Sequence, residues 1–567
     1  MKKPVTIVYG SEERPPLAVT LLTGFQHVGT MSIFLLFPLL VSREGGLTGQ
    51  EMVDVLSTSM LVQGVVTVIQ AFPMGPVGSG YLCPTIFSAA YLGPSLLALR
   101  TGGLPLVFGM TVFAGLVECG LSWVLPRLRS LFPSEIAGFV IVMIGVTNGA
   151  IGIRYILGIG APQPVDAPAL MVTAVSLGTM VALNVWTGGL LRVFCGLVGL
   201  VVGYGMALIV GGLAAADLHT FAGAPLIHLP KPGHLGWSFD GSLAVTFAVT
   251  AAAACMKAMG SVATYQRIND AEWKRPDMGS IGGGVLADGV GTVAAGLLGT
   301  LGVNPSATSL GLATATGVTS RRIAWAIGGI FCALAFLPKA AALLAIMPRS
   351  VIGAALVFTG AFVFVNGLEI IMSRKLDARK TLVIGLSFTV GIAVDLYPAF
   401  FAKLPAVLQP FLSSSLALGT LAALLLNGAF RLGIRRTQTM RIDPQDPHPE
   451  ALENFMEVQG AAWGARRDII DRASFNLAQG IEVIVEGCNP EGPLEVEASF
   501  DEFNLDVKVS YVGAPLELPD RRPTNEEIMA SEEGQRRLAG FMLRRHADRV
   551  QSWHKDGRST VLFHFNH

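Results

Sequence analysis

Runs of about twenty mainly apolar residues, the length that spans a bilayer as a helix, recur along most of this chain. They lie near 17–42, 55–72, 105–125, 135–153, 169–188, 192–213, 242–262, 281–301, 322–346, 351–371, 380–398 and 404–428. Two further apolar stretches, 83–99 and 303–317, are short and interrupted by Gly, Pro, Ser and Thr, as half-helices ending at a transporter's midplane are. Together they make fourteen segments, the interrupted ones third and tenth, so each is the third element of its own set of seven. The pattern predicts an all-α polytopic membrane protein built from two inverted repeats.

Past about residue 437 the pattern changes. Residues 437–448, with DPQDPHPE at their end, read as a linker between a transmembrane domain (1–436) and a polar domain (449–567). In the latter, ENFMEVQGAAW, RDIIDRASFNLAQGIEVIVEG and EEIMASEEGQRRLAGFMLRRHADRV have helical period, whereas LEVEASF, LDVKVSYV and STVLFHF alternate as half-buried strands. An α/β sandwich of about 120 residues is an ordinary domain size.

Composition agrees with the lipid bilayer as the main solvent: 51% of residues are hydrophobic, 66 are Gly, and 14% are charged against about 25% in soluble chains. The formal net charge is zero, and no basic run suits nucleic acid. Six scattered cysteines form no CxxC pair, so neither a disulfide framework, a metal site nor a cofactor is expected. The polar start, MKKPVTIVYGSEERPP, lacks the apolar core of a signal peptide. With the N-terminus in the cytoplasm, even-numbered segments end at Arg127 and Arg129, Arg192, Arg267 with Lys274 and Arg275, Arg321 with Arg322, Arg374, Lys375, Arg379 and Lys380, and Arg431, Arg435 and Arg436. The opposite loops carry mostly single basic residues, such as Arg43, Arg100, Arg154, Lys231 and Lys403. The positive-inside rule therefore places both termini in the cytoplasm of a cell whose inner membrane holds the protein.

Ionisable groups inside spans are expensive and functional by default; here they include His27, Glu118, Lys257, Asp288 and Asp395. Lys257, within TAAAACMKAMGSVATY, either faces a substrate or ion pathway or neutralises Glu118 or Asp288 within the protein. His27 beside Gln26 is either part of a site or hydrogen-bonded helix packing. In GVNPSATSLGLATATG, Ser306, Thr308 and Ser309 precede a helical run, whose first free N–H groups suit an anionic or carbonyl-rich ligand. Tyr91, in GSGYLCPTIFSAAYLGP, offers a ring to a ligand or anchors an interface.

QHVGTM, GSGYLCPTIFSAAYLGP, FPSEIAGFVIVMIG, GGGVLADGVGTVAAGLLGT, SLGLATATGVTSR and FLPKAAALLAIMPRSVIGAALVF follow in order along residues 15–430, and resemble the nucleobase/ascorbate transporters, or xanthine/uracil permeases. The resemblance implies core and gate domains, frequent homodimers, and substrate held between the third and tenth segments against the eighth. Carried onto this chain, the implied site is Gln26, His27, Ala89, Tyr91, Lys257, Gly260, Ser261, Thr308, Ser309 and Gly311. The family's Glu-x-x-Gly-Asp in the eighth segment is here Lys257 to Ser261. Its carboxylate or amide pair in the tenth is Thr308 and Ser309, with Gly311 and Thr316 kept. Replacing carboxylates, associated in the family with binding the base and with proton coupling, by an ammonium favours an anionic heterocycle over a neutral base.

The C-terminal domain resembles the anti-sigma-factor serine kinases of the histidine-kinase-like ATPases in the order of its elements. Ala478 and Glu482 stand where that family has Glu and the magnesium-binding Asn, and Tyr511, Val512, Gly513, Ala514 and Pro515 where it has Asp-x-Gly-x-Gly. A pseudo-ATPase is expected, serving regulation, dimer contact or a partner protein. Two functions stay open: a permease working by alternating access, and a receptor that signals occupancy through this domain with little flux.

Overall fold

The computed structural model describes residues 3–566 apart from 73–75, 129–133, 160–165, 214–220, 272, 274–275, 373–375, 377, 402, 406–411, 413, 431–436, 446–448, 501–503, 520, 525–527, 529–531 and 556. Several basic residues of the orientation argument, Arg129, Lys274, Arg275, Arg374, Lys375, Arg431, Arg435 and Arg436, lie outside the described residues, as does part of the segment expected at 404–428.

The chain forms two compact units. The first comprises Met1–Phe132, Ile136–Leu368 and Leu386–Ala423; the second comprises Pro133–Glu135, Glu369–Gly385 and Leu424–His567. The membrane helices run in the predicted order: α1 (Leu17–Met31), α2 (Leu36–Glu44), α3 (Gly49–Gln70), strand β1 (Thr85–Phe87), α4 (Ala89–Leu128), α5 (Ser134–Ile156), α6 (Ala167–Trp186), α7 (Gly189–Val193), α8 (Cys195–Ile209), α9 (Ala244–Asn269), α10 (Met278–Leu298), strand β2 (Val303–Pro305), α11 (Ala307–Thr316), α12 (Ile323–Ala335), α13 (Pro338–Ala345), α14 (Arg349–Met372), α15 (Ala378–Leu396), α16 (Pro398–Phe401) and α17 (Ser415–Phe430). Among the described residues, eight helical spans are long and apolar enough to cross a bilayer. A ninth arises if α12 and α13, bent by 80° at their junction, count as one. That bend interrupts the run expected at 322–346: Pro338 holds Leu337 out of the helical region, at ψ 83°. Conversely, α4 joins the third and fourth expected segments, broken at Gly102 and Gly103, where the φ of +75° at Gly103 requires a residue without a Cβ.

Small residues let these helices touch. A Cβ on Gly115 of α4 would come within 2.5 Å of the Val293 backbone nitrogen on α10, and one on Gly289 within 2.8 Å of the Cys119 nitrogen. In lipid, where apolar side chains gain little by meeting one another, such close approach supplies the packing, and it accounts for much of the glycine content.

In the second unit, β3 (Thr437–Ile442), β4 (Glu491–Phe500), β5 (Asn504–Val512), β6 (Arg549–Lys555) and β7 (Arg558–Asn566) form a sheet of order β3-β4-β5-β7-β6. All its pairings are antiparallel. Helices α18 (Pro449–Trp463), α19 (Arg467–Cys488) and α20 (Glu532–His546) accompany it. Leu477, Ile481 and Ile484 of α19 and Met456 of α18 bury against Val507, Val509, Phe563 and Phe565 of the sheet, as the alternating strand pattern requires. The stretch expected as a linker from 437 begins as an edge strand: Thr437 to Ile442 pair with Ser499 to Leu494.

Candidate functional site

The first unit is organised around β1 and β2, which pair antiparallel with Ile86 opposite Asn304. Ser88 N donates to Gly302 O at 2.9 Å and Ser306 N to Pro84 O at 2.8 Å, so the starts of α4 and α11 are fastened at one crossing. Backbone groups in hydrocarbon need partners, and here two broken segments supply each other's. Ser306 caps α11, its Oγ accepting from Ser309 N at 3.1 Å and lying 2.9 Å from Thr308 Oγ1. Ser309 is buried, its hydroxyl without a partner.

Helix α9 packs beside β2 and α11, and α1 packs on α11. These contacts gather most of the predicted site residues. Spacing places Lys257, Gly260 and Ser261 on one face of α9 and Thr308 and Gly311 on one face of α11. Cβ atoms at Gly260 and Gly311 would meet no neighbour within 4 Å, and Thr308 is exposed, so both faces border open space. On α1, Gln26 is half-buried and His27 fully buried with both ring nitrogens unpartnered. An orphaned buried imidazole calls for an explanation, and a bound ligand is one.

Tyr91 does not offer its ring in this conformation. It is fully buried, tilted against Phe247 at 6.5 Å, and its phenol donates to Glu118 Oε1 at 2.5 Å. Ala89, at the start of α4, is buried too. Of the two possible counter-charges for Lys257, Asp288 on α10 is the one whose charge acts on it, without a direct ion pair between the two. Asp288 is itself held by Asn304 Nδ2 at 2.7 Å, and the same amide donates to Ala254 O at 2.9 Å.

Asn304 therefore ties β2 to both α9 and α10, a role sequence reasoning missed. Its signal was its place in GVNPSATS, just before the half-helix. No group of three His, Cys, Asp or Glu side chains among the described residues is arranged to hold a metal. The open space lies beside Gly260 of α9 and beside Thr308 and Gly311 at the start of α11, and a helix N-terminus with hydroxyls suits an anion or a carbonyl-rich ring.

The sequence profile of the Permease family, the xanthine/uracil permeases, matches residues 18–400. A putative purine permease of Clostridium perfringens is 28% identical over 435 residues, covering 75% of this chain and 94% of that protein. The xanthine permease XanP of Escherichia coli is 27% identical over 444 residues, with coverage of 75% and 94%. The uric acid transporter UacT of Escherichia coli is 27% identical over 419 residues, with coverage of 72% and 86%. Among solved structures, the transmembrane domain of the cyanobacterial bicarbonate transporter BicA matches with TM-score 0.45 at 15% identity, covering 74% of this chain and 99% of that one. Murine Slc26a9 matches with TM-score 0.48 at 12% identity, covering 76% and 71%. A profile that spans most of the membrane segments, in a polytopic chain whose two broken elements cross as described, fixes the assignment: the chain is a multi-pass membrane transporter of the xanthine/uracil permease family.

Proposed function

We propose that the chain is a permease for a small anionic, nucleobase-like heterocycle, such as urate or deprotonated xanthine, moved unaltered by alternating access. Purine, xanthine and uric acid are the substrates in its relatives' names. The observation that carries the anionic reading is Lys257, one turn from the open position at Gly260 on α9 and one turn from Ala254, which Asn304 ties to the strand before α11. An ammonium and a helix N-terminus stand in the two segments where the family resemblance has carboxylates, and both favour negative charge.

The protein is read as an inner-membrane homodimer with both termini cytoplasmic, following the basic loops, and its C-terminal domain as a regulatory or partner-docking module that does not bind ATP. Uptake of labelled urate, xanthine and uracil by proteoliposomes tests the function: urate or xanthine should equilibrate or accumulate, and be favoured over uracil. The separately cored C-terminal domain favours a second reading, a receptor that signals occupancy. Saturable binding without uptake would support it and overturn the first.

A further inference from the structure

The polar N-terminal residues are not a loose tail. Ile7, Gly10 and Ser11 are buried, and the segment runs as a parallel partner to the chain just after α11. Val8 N and Tyr9 N donate to Gly317 O at 2.8 and 3.1 Å, Thr319 N to Tyr9 O at 2.8 Å, and Arg321 N to Ser11 O at 3.0 Å. Ser320 Oγ adds a bond to Glu13 O at 2.6 Å. The segment also closes on itself, because Glu13 accepts from Lys3 Nζ at 2.7 Å and from Gly10 N at 3.0 Å.

Two features tie this ladder to the candidate site. Gly317, the residue that ends α11, has φ +67°, and a Cβ there would come within 2.8 Å of Thr6 O; only glycine lets helix end and N-terminal segment meet. Thr319 Oγ1 lies 2.6 Å from Asn269 Oδ1, the last residue of α9, and 3.1 Å from Tyr9 O. The segment is therefore bonded along the chain that follows α11, and Thr319 in that chain joins it to the last residue of α9, so the C-terminal ends of the helices that carry Lys257 and Thr308 are linked through Thr319. A ten-residue helix such as α11 is about 15 Å long, short enough that a shift at one end moves the other.

We propose that residues 3–13 are a positioning strap: by fixing the far ends of α9 and α11 together they set the spacing of the substrate-facing groups and hence substrate affinity. The proposal rests on the reading that substrate binds between those helices. Its residues are positioning residues, since none borders the open face described above.

The test compares full-length protein with Thr319→Val, Thr319→Ser and Gly317→Val in lipid bilayers. Hydrogen exchange of peptides covering 307–316 and the kinetics of labelled xanthine and urate uptake are read on the same preparations. Thr319→Val should speed exchange in α11 and raise KM about three- to tenfold, the factor for a lost buried hydrogen bond, with kcat within about twofold. Thr319→Ser, which keeps the hydroxyl, should restore both, and Gly317→Val should act at least as strongly as Thr319→Val. If Gly317→Val does not fold, the Thr319 pair decides alone. Unchanged exchange in α11, or no difference between Ser and Val, overturns the strap. Faster exchange with unchanged KM overturns instead the placing of substrate against α11.

Discussion

Replacing Lys257 by Met keeps the side chain's length and removes its charge. If the ammonium contacts an anionic ring, the loss is one charge-assisted contact in a water-poor cavity, roughly 1.5–3 kcal/mol. That is about a ten- to hundredfold fall in affinity. The competing role is internal. Asp288 acts electrostatically on Lys257, and breaking even a direct buried ion pair costs about 3–5 kcal/mol. Asp288 keeps its bond from Asn304 at 2.7 Å, so that range is an upper bound. Equilibrium binding of urate and xanthine and thermal unfolding, measured on the same purified variant, separate the roles. A second variant, Lys257→Met with Asp288→Asn, removes both charges: it should recover stability without recovering anion affinity. A Lys257→Met protein that melts early but binds urate normally would show that the ammonium only balances Asp288, and the anionic reading would fall.

Three other outcomes follow from the contacts described. Tyr91→Phe leaves Glu118 Oε1 without its donor and should cost about 1–3 kcal/mol; Glu118→Gln in the same background should recover part of it, as thermal unfolding would report. Glu13 titrates below its ordinary value of 4.5 because of the Lys3 bond first and the Gly10 N–H second. A depressed carboxylate stabilises above its unfolded value and loses that contribution as pH falls through the folded one, so the strap's clasp should hold fully above 4.5 and open only as pH falls through a midpoint lower than that. NMR of carboxyl-labelled glutamate, assigned with Glu13→Gln, would contradict this by a midpoint at or above 4.5. Full-length protein should show no magnesium-ATP binding by calorimetry. Tyr511, which the kinase resemblance would set at an adenine-reading Asp, is buried and its phenol donates to Ala514 O at 3.0 Å, while burial pushes the phenol's titration upward. A micromolar dissociation constant would refute that expectation.

The membrane half of the fold was legible because a helix in lipid must satisfy its own backbone over about twenty apolar residues, and a break in that run is conspicuous. Hence the interrupted stretches at 83–99 and 303–317 appear as β1 with the start of α4 and as β2 with α11. Pairwise chemistry was not legible. Choosing Asp288 over Glu118 for Lys257 depends on how α9 and α10 are rotated, and nothing local encodes it. Tyr91 reads as an amphipathic aromatic in either role until Glu118, twenty-seven residues on, is seen beneath its hydroxyl. The edge strands β3 and β6 were missed for a similar reason. TQTMRI and RVQSWHK bury little, so their alternation lacks the contrast that marked β4, β5 and β7.

The β1–β2 crossing also bears on how the protein is made. When a ribosome has delivered the first seven segments, the strand partners of Thr85 to Phe87, Val303 to Pro305, have not been synthesised. Thr85 N has a partner within the first half, Thr67 Oγ1, but backbone groups left unpaired in hydrocarbon cost several kcal/mol each, so the first half alone is expected to fall short of its final form. It must keep that element near the interface, in water or against the insertion machinery, until the second half arrives. The expected outcome is a single late closure rather than two halves finished in turn, with truncations ending between the repeats cleared by the cell's proteases instead of accumulating as stable half-transporters.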